Sequence, residues 1–229
     1  MPPPPDERAP RLPRATAVVY WYLVTEVCFL LAAVPTFAGF LLLDRSAGNI
    51  PFFALALVPL APAVTAAVST LHARTPARST AGELSVWPRF WRFWARDVVD
   101  VLRWWVPVLA VGAVLAYNAV FATRIGMAPV FSIVAVVLLV FLALFSMNAV
   151  ALTAVFSFRT RDLARLSLYY LGARPAATVG SVALLIVAAG VVYAASDAAL
   201  AALAVVFAAF LLVTHRAVLE DARARFVAA

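Results

Sequence analysis

Six apolar runs, each near the roughly 20 residues that cross a bilayer, limit what this chain can become. They cover 16–43, 51–72, 104–122, 129–158, 176–195 and 198–215 of 229 residues. A soluble domain averages about 45–50% apolar residues, whereas this chain has 66%. That excess needs lipid around it. The expected fold is all-α and polytopic, with six transmembrane helices in three hairpins over 16–216. The first run is too long for a signal-peptide core of roughly 7–15 residues, so it is expected to be a transmembrane helix. Residues 1–15, "MPPPPDERAPRLPRA", are proline-rich and charged and are expected to form a disordered or polyproline tail. Residues 217–229 are expected to form a short cytoplasmic tail.

Charge sets the orientation. All 18 basic residues are arginine, and the net charge is +7. Only Arg45 and Arg124 lie in one set of connections; the tails and the 73–103 and 159–174 segments carry the other sixteen. The positive-inside rule then places both termini in the cytoplasm of an inner membrane. The absence of lysine excludes a Walker-type phosphate loop and Schiff-base catalysis. A single cysteine, Cys28, excludes an internal disulfide and a thiolate cluster.

The segment "PRFWRFWARDVVDVLRWW", 88–105, holds four arginines and six aromatic rings. On a helix, Arg89, Arg92, Arg96, Asp100 and Arg103 share an arc of roughly 80°, opposite Phe90, Trp94, Val98 and Trp105. This pattern predicts a juxtamembrane amphipathic helix over about 86–103, along or close to the inner surface and nearly continuous with the third span, with Arg89, Arg92, Trp94, Arg96 and Arg103 at the membrane interface. The bilayer is its expected partner, with anionic lipids as the counterpart of the arginines. A voltage sensor would carry its arginines across the bilayer, and Asp97 and Asp100 interrupt this row. Nucleic-acid binding is not expected, because the segment is tethered and has an apolar face to bury. "RDVVDVLRWW" (96–105) and "RDLARLSLYY" (161–170) share an Arg-Asp pair and an aromatic pair at equal spacing, a weak internal repeat.

The chain contains no HExxH, CxxC, GxGxxG or GxSxG pattern. No catalytic residue, metal ligand or cofactor is therefore expected, and the chain is not expected to be an enzyme. His72 and His215 fall near cytoplasmic helix ends and are read as interface residues. Glu26 is the one carboxylate well inside an apolar run, where a charged group is costly and needs a partner. Counting rise per residue puts Asn148 and Thr65 near its depth, so a Glu26–Asn148 contact, with Thr65 beside it, is expected. Asn118 falls nearer the outer side. Pro35, Pro59 and Pro62 should kink the first two spans.

The ordered chain resembles the YesL-like family of bacterial membrane proteins. The likeness lies in "VPLAPAVTAAVSTLHAR" (58–74), Gly82-Glu83, "FWRFWARD" (90–97) and "LARLSLYYLGARPAATV" (163–179) with its Arg174-Pro175 pair. Ala61 stands before Pro62 where that family commonly has Gly-Pro. The resemblance implies an integral membrane protein whose relatives are often encoded beside carbohydrate uptake and degradation genes, and it brings no catalytic residues. Two function classes stay open. One is a non-enzymatic accessory or scaffold bound to a transporter complex. The other is a small secondary transporter using Glu26. Polar positions within the runs are scattered rather than striped, which favours the first.

Overall fold

The computed structural model describes residues 14–73, 85–122, 126 and 128–226. The proline-rich tail, as far as residue 13, and Gly82-Glu83 lie outside them. The described residues are helical, with no strand among them. The helices are α1 (Arg14–Ala32), α2 (Val34–Leu42), α3 (Ile50–Ala56), α4 (Leu60–His72), α5 (Val86–Phe121), α6 (Pro129–Val155), α7 (Thr160–Ala173), α8 (Pro175–Ala194), α9 (Asp197–Ala202), α10 (Ala204–Thr214) and α11 (Arg216–Phe226).

Among the described residues three helices, α5, α6 and α8, are long and apolar enough to cross a membrane; counting each of two bent pairs as one span gives five. The bends fall where proline forbids a continuous ladder. α1 and α2 meet at 56° just before Pro35, whose ring lacks an N–H and crowds the preceding turn. The α3 and α4 stretches meet at 41° around Pro59. The carbonyl of Leu57, at that break, accepts the indole N–H of Trp105 at 3.0 Å. The sixth apolar run is two short helices, α9 and α10. The break between them has no proline or glycine. Instead, the Glu26 carboxylate takes the N–H of Val205, and a side chain inserted into the ladder is a known cause of helix interruption.

Burial is uneven along the bundle. At the arginine-rich end, α4 is buried from Ala61 through Val68 to Leu71 with few gaps, α6 from Asn148 to Ala154, and α5 at Phe90, Val101 and Trp104. At the other end, Val134, Val137 and Phe141 on α6, Val111 and Val114 on α5, and Ile186 on α8 stand exposed. A continuous apolar surface of that extent belongs against lipid. Close approach tightens two helix pairs. A methyl at Gly39 would overlap the Ala56 side chain, and one at Gly180 would lie 2.8 Å from Thr214 Cγ2.

One expectation holds in its connection and another changes. The 86–103 stretch, expected to be nearly continuous with the third span, is the first half of α5, whose 36 residues run on unbroken. At 1.5 Å per residue α5 is about 54 Å long, well beyond a hydrocarbon core of about 30 Å. Its first turns therefore extend past the span. The 217–229 segment is not merely a tail, because most of it is α11, with Val218, Leu219 and Ala222 buried. Alternating charge along "RAVLEDARARF" hid that apolar stripe.

Candidate functional site

The polar groups of the spans separate into two places. Glu26 Oε2 accepts the Val205 N–H at 2.9 Å, where the first turn of α10 would otherwise have a free donor. The carboxylate thus caps a half-helix from a neighbouring element and favours its positive end. Asn148 donates from Nδ2 to the Ser167 carbonyl at 3.3 Å. The expected Glu26–Asn148 contact is therefore not formed. Depth along the chain set the level of each group but not the neighbour: α1 packs against α10, while α7 folds back along the end of α6 and meets Asn148. Thr65 is fully buried on α4, and its hydroxyl has no partner among the described residues. Asn118 is exposed on α5, and Cys28 is buried. His72 is exposed, whereas His215 is fully buried with Nδ1 3.0 Å from the Leu211 carbonyl, so only His72 has the exposure of an interface residue.

On α5, Arg92, Arg96 and Arg103 are exposed, Arg89 is half-buried, and the aromatic arc faces protein. Asp97 engages Arg96 through both oxygens, at 2.6 and 2.7 Å, and Asp100 accepts from Arg103 at 2.6 Å. The Arg89 guanidinium lies 5.3 Å from the centre of the Trp21 ring on α1. Arg92 is exposed, with no acidic partner among the described residues. Trp94 is half-buried, and its indole N–H is enclosed without an acceptor among the described residues. The two aspartates that interrupt the arginine row thus neutralise two of its members; among the described residues Arg89 and Arg92 have no acidic partner, and of these Arg92 is the exposed one.

A second polar centre escaped sequence reasoning. Asp221 on α11 accepts from the Tyr170 hydroxyl, from Arg174 Nη2 and from Arg225 Nε, each at 2.9 Å. Arg225 also lies 5.6 Å from the Tyr169 ring centre. Burial, and then the bond to Asp221, push the Tyr170 hydroxyl pKa up to about 12. The Tyr170 hydrogen bond, and then Arg174, hold the Asp221 carboxyl below its usual range. One carboxylate ties the C-terminal helix to α7 and to the start of α8. With its inner face fixed in this way, α7 turns Arg161, Arg165, Leu168 and Tyr169 outward. Arg161 and Arg165 have no acidic partner among the described residues. The block 163–179 signalled importance through its aromatic pair and Arg174-Pro175, but nothing in the local sequence pointed to Asp221.

Between α2, α4, α6, α8 and α10 lies a cavity of about 530 Å³. Its walls are apolar, with Phe37, Phe40, Val150, Leu184 and Phe207 prominent. It reaches from Leu211 to Asp197, at the end of the bundle away from the arginine-rich segments. Asp197 there pairs with Arg45 across the loop after α2.

The arrangement is that of an all-α chain with several helices long and apolar enough to cross a membrane, a packed, arginine-bearing end, and an opposite end whose apolar side chains are exposed. Comparison with family models, curated proteins and solved structures gives no match for this chain.

Proposed function

We propose that this chain is a non-enzymatic accessory or scaffold protein of a bacterial inner membrane, and that it engages a transporter complex through the exposed arginines of α5 and α7. The observation carrying this reading is the base beneath that surface. Arg161 and Arg165 project from a helix locked by the Asp221 cluster, and Arg92 projects from a helix whose opposite face is packed in protein. A fixed base lets a small number of side chains bind without a large ordering cost. Such a surface suits an acidic partner. Anionic lipid headgroups are the other counterpart of these arginines.

In this reading α1 with α2, and α3 with α4, each form one span; α5, α6 and α8 form three more, and α9 with α10 forms the sixth. Arginine asymmetry supports placing both termini and α7 in the cytoplasm. The carbohydrate-uptake setting rests on the resemblance to the YesL-like family alone. A small secondary transporter is the second reading, favoured by one observation: Glu26 sits at a broken helix, an arrangement that also occurs at transporter sites. Against it, one oxygen of that carboxylate is already engaged by the α10 backbone.

Affinity purification in mild detergent distinguishes the two. The accessory reading expects transporter subunits to copurify with the chain. Combined Arg92→Glu, Arg161→Glu and Arg165→Glu should reduce that recovery roughly tenfold, the effect of losing about 1.4 kcal/mol of binding. Glu26→Gln should leave it unchanged. Recovery indifferent to the charge reversals, together with function lost in Glu26→Gln, would favour the transporter.

A further inference from the structure

Three helix breaks interrupt the apolar runs: Ala33 between α1 and α2, Leu57–Pro59 between α3 and α4, and Leu203 between α9 and α10. All three border the same cavity. Thr36 and Phe37 just past the first break, Leu57 and Leu60 at the second, and Leu200 and Ala204 at the third belong to its wall. Each break sets off a short helix, α2, α3 or α9, and these short helices are loosely held. Thr36 is the one buried residue among them, whereas α4 is buried nearly throughout. Segments with few buried contacts sit at the low-stability end of a fold.

The short helices form two bodies. α2 and α3 pack as a hairpin: the Phe40 and Phe53 ring centres are 5.2 Å apart, and a methyl at Gly39 would overlap the Ala56 side chain. The hairpin leans on α5, and α9 leans on α8. Arg45, in the hairpin loop, pairs with Asp197 at the start of α9, and Asp197 also lines the cavity. Among the described residues this is the one hydrogen bond or ion pair that joins the two bodies. Its side chains are 76% and 36% exposed. An exposed pair holds weakly and weakens further with salt.

We infer that the α2–α3 hairpin and α9 form a gate over this cavity, hinged at the three breaks and latched by Arg45–Asp197. A hinge needs only a few residues at element ends to absorb the backbone change while the bodies stay rigid. Releasing the latch parts the hairpin from α9 and opens the apolar wall at Val150, which is 7% exposed with the latch closed. The gate rests on the breaks and the latch, and depends on neither reading proposed above.

Double electron–electron resonance between spin labels on Phe52→Cys and Ala198→Cys, with the full chain in lipid nanodiscs, tests it. Both positions are exposed, and native Cys28 is buried. The latched chain should give one narrow distance. Asp197→Arg sets two like charges face to face and should lengthen that distance by more than the roughly 1–2 Å of an ordinary helix shift. Arg45→Asp combined with Asp197→Arg keeps the same residue beside the label, re-forms the pair and should restore the distance. A control pair on Leu41→Cys and Phe52→Cys, within the hairpin, should not change. Val150→Cys should react severalfold faster with a water-soluble maleimide in the Asp197→Arg chain than in the charge-swapped one. An unmoved 52–198 distance in a folded Asp197→Arg chain would overturn the gate. So would a lengthening that the charge swap fails to restore, a control distance that lengthens with it, or labelling of Val150→Cys that does not rise. If Asp197→Arg does not fold, salt decides with the latch residues intact. About 1 M salt shortens the screening length to roughly 3 Å and should populate the longer 52–198 distance; a distribution that salt leaves unchanged would then overturn the gate.

Discussion

Glu26 on α1 caps α10 through the N–H of Val205, 179 residues away in sequence. This bond ties α1 to the start of α10. It also accounts for the break at Leu203, where neither proline nor glycine intervenes. Glu26→Gln keeps an acceptor for Val205 and gives up only the charge at the helix end, an effect of about 0.3–1 kcal/mol. Glu26→Ala strands the N–H and should cost about 1–3 kcal/mol. Denaturation in mixed detergent–SDS micelles measures both. A Glu26→Ala variant as stable as the wild type would show that the cap holds nothing.

Close helix contacts make a second expectation. Gly39→Ala should force α2 away from α3, and Gly180→Ala should press α8 against Thr214. Each should lose about 1–3 kcal/mol, the usual penalty of overpacking. Gly190→Ala is the control, since nothing lies near the added methyl, and it should show no loss. The same micelle titration ranks the three.

The α7–α11 tie should weaken at both ends of the pH scale. Tyr170 has its pKa raised to about 12 in the folded chain, against about 10 unfolded. A raised pKa stabilises below the unfolded value, so this contribution is full below about pH 10 and is lost as pH rises toward 12. Asp221 is shifted the other way. Its contribution is full above the ordinary carboxylate range and is lost as pH falls through its lowered value. Melting temperatures by circular dichroism should therefore fall on both limbs. Tyr170→Phe should flatten the alkaline limb. Asp221→Asn should lower the plateau between the limbs and flatten the acid one.

The membrane class was legible from composition, and the helix breaks near Pro35 and Pro59 from the prolines themselves. Periodicity placed the arginines of 88–105 on one exposed arc and Phe90 and Trp94 on the other. It could not say that the second arc meets α4 and α6 rather than lipid, because both are apolar neighbours. Asp97 shows the limit: it read as an interruption of a charged row, yet it lies buried against the core beside Arg96. Glu26 was singled out correctly as a group needing a partner. The partner was missed because a backbone N–H has no sequence signature, and it was freed by a helix break that no proline announced. Asp221 stayed hidden for a related reason, since its three donors come from segments about 50 residues apart and from its own helix.

The sidedness of the arginine surface decides whether it can dock a cytoplasmic partner. Single cysteines at Arg92→Cys, Arg165→Cys and Ser46→Cys, all at exposed positions, can be labelled with a membrane-impermeant maleimide in intact cells and in inverted vesicles. Native Cys28 is buried and gives a low background. The account predicts that positions 92 and 165 react only in inverted vesicles and position 46 only in intact cells. Labelling of 92 or 165 from outside intact cells would contradict it.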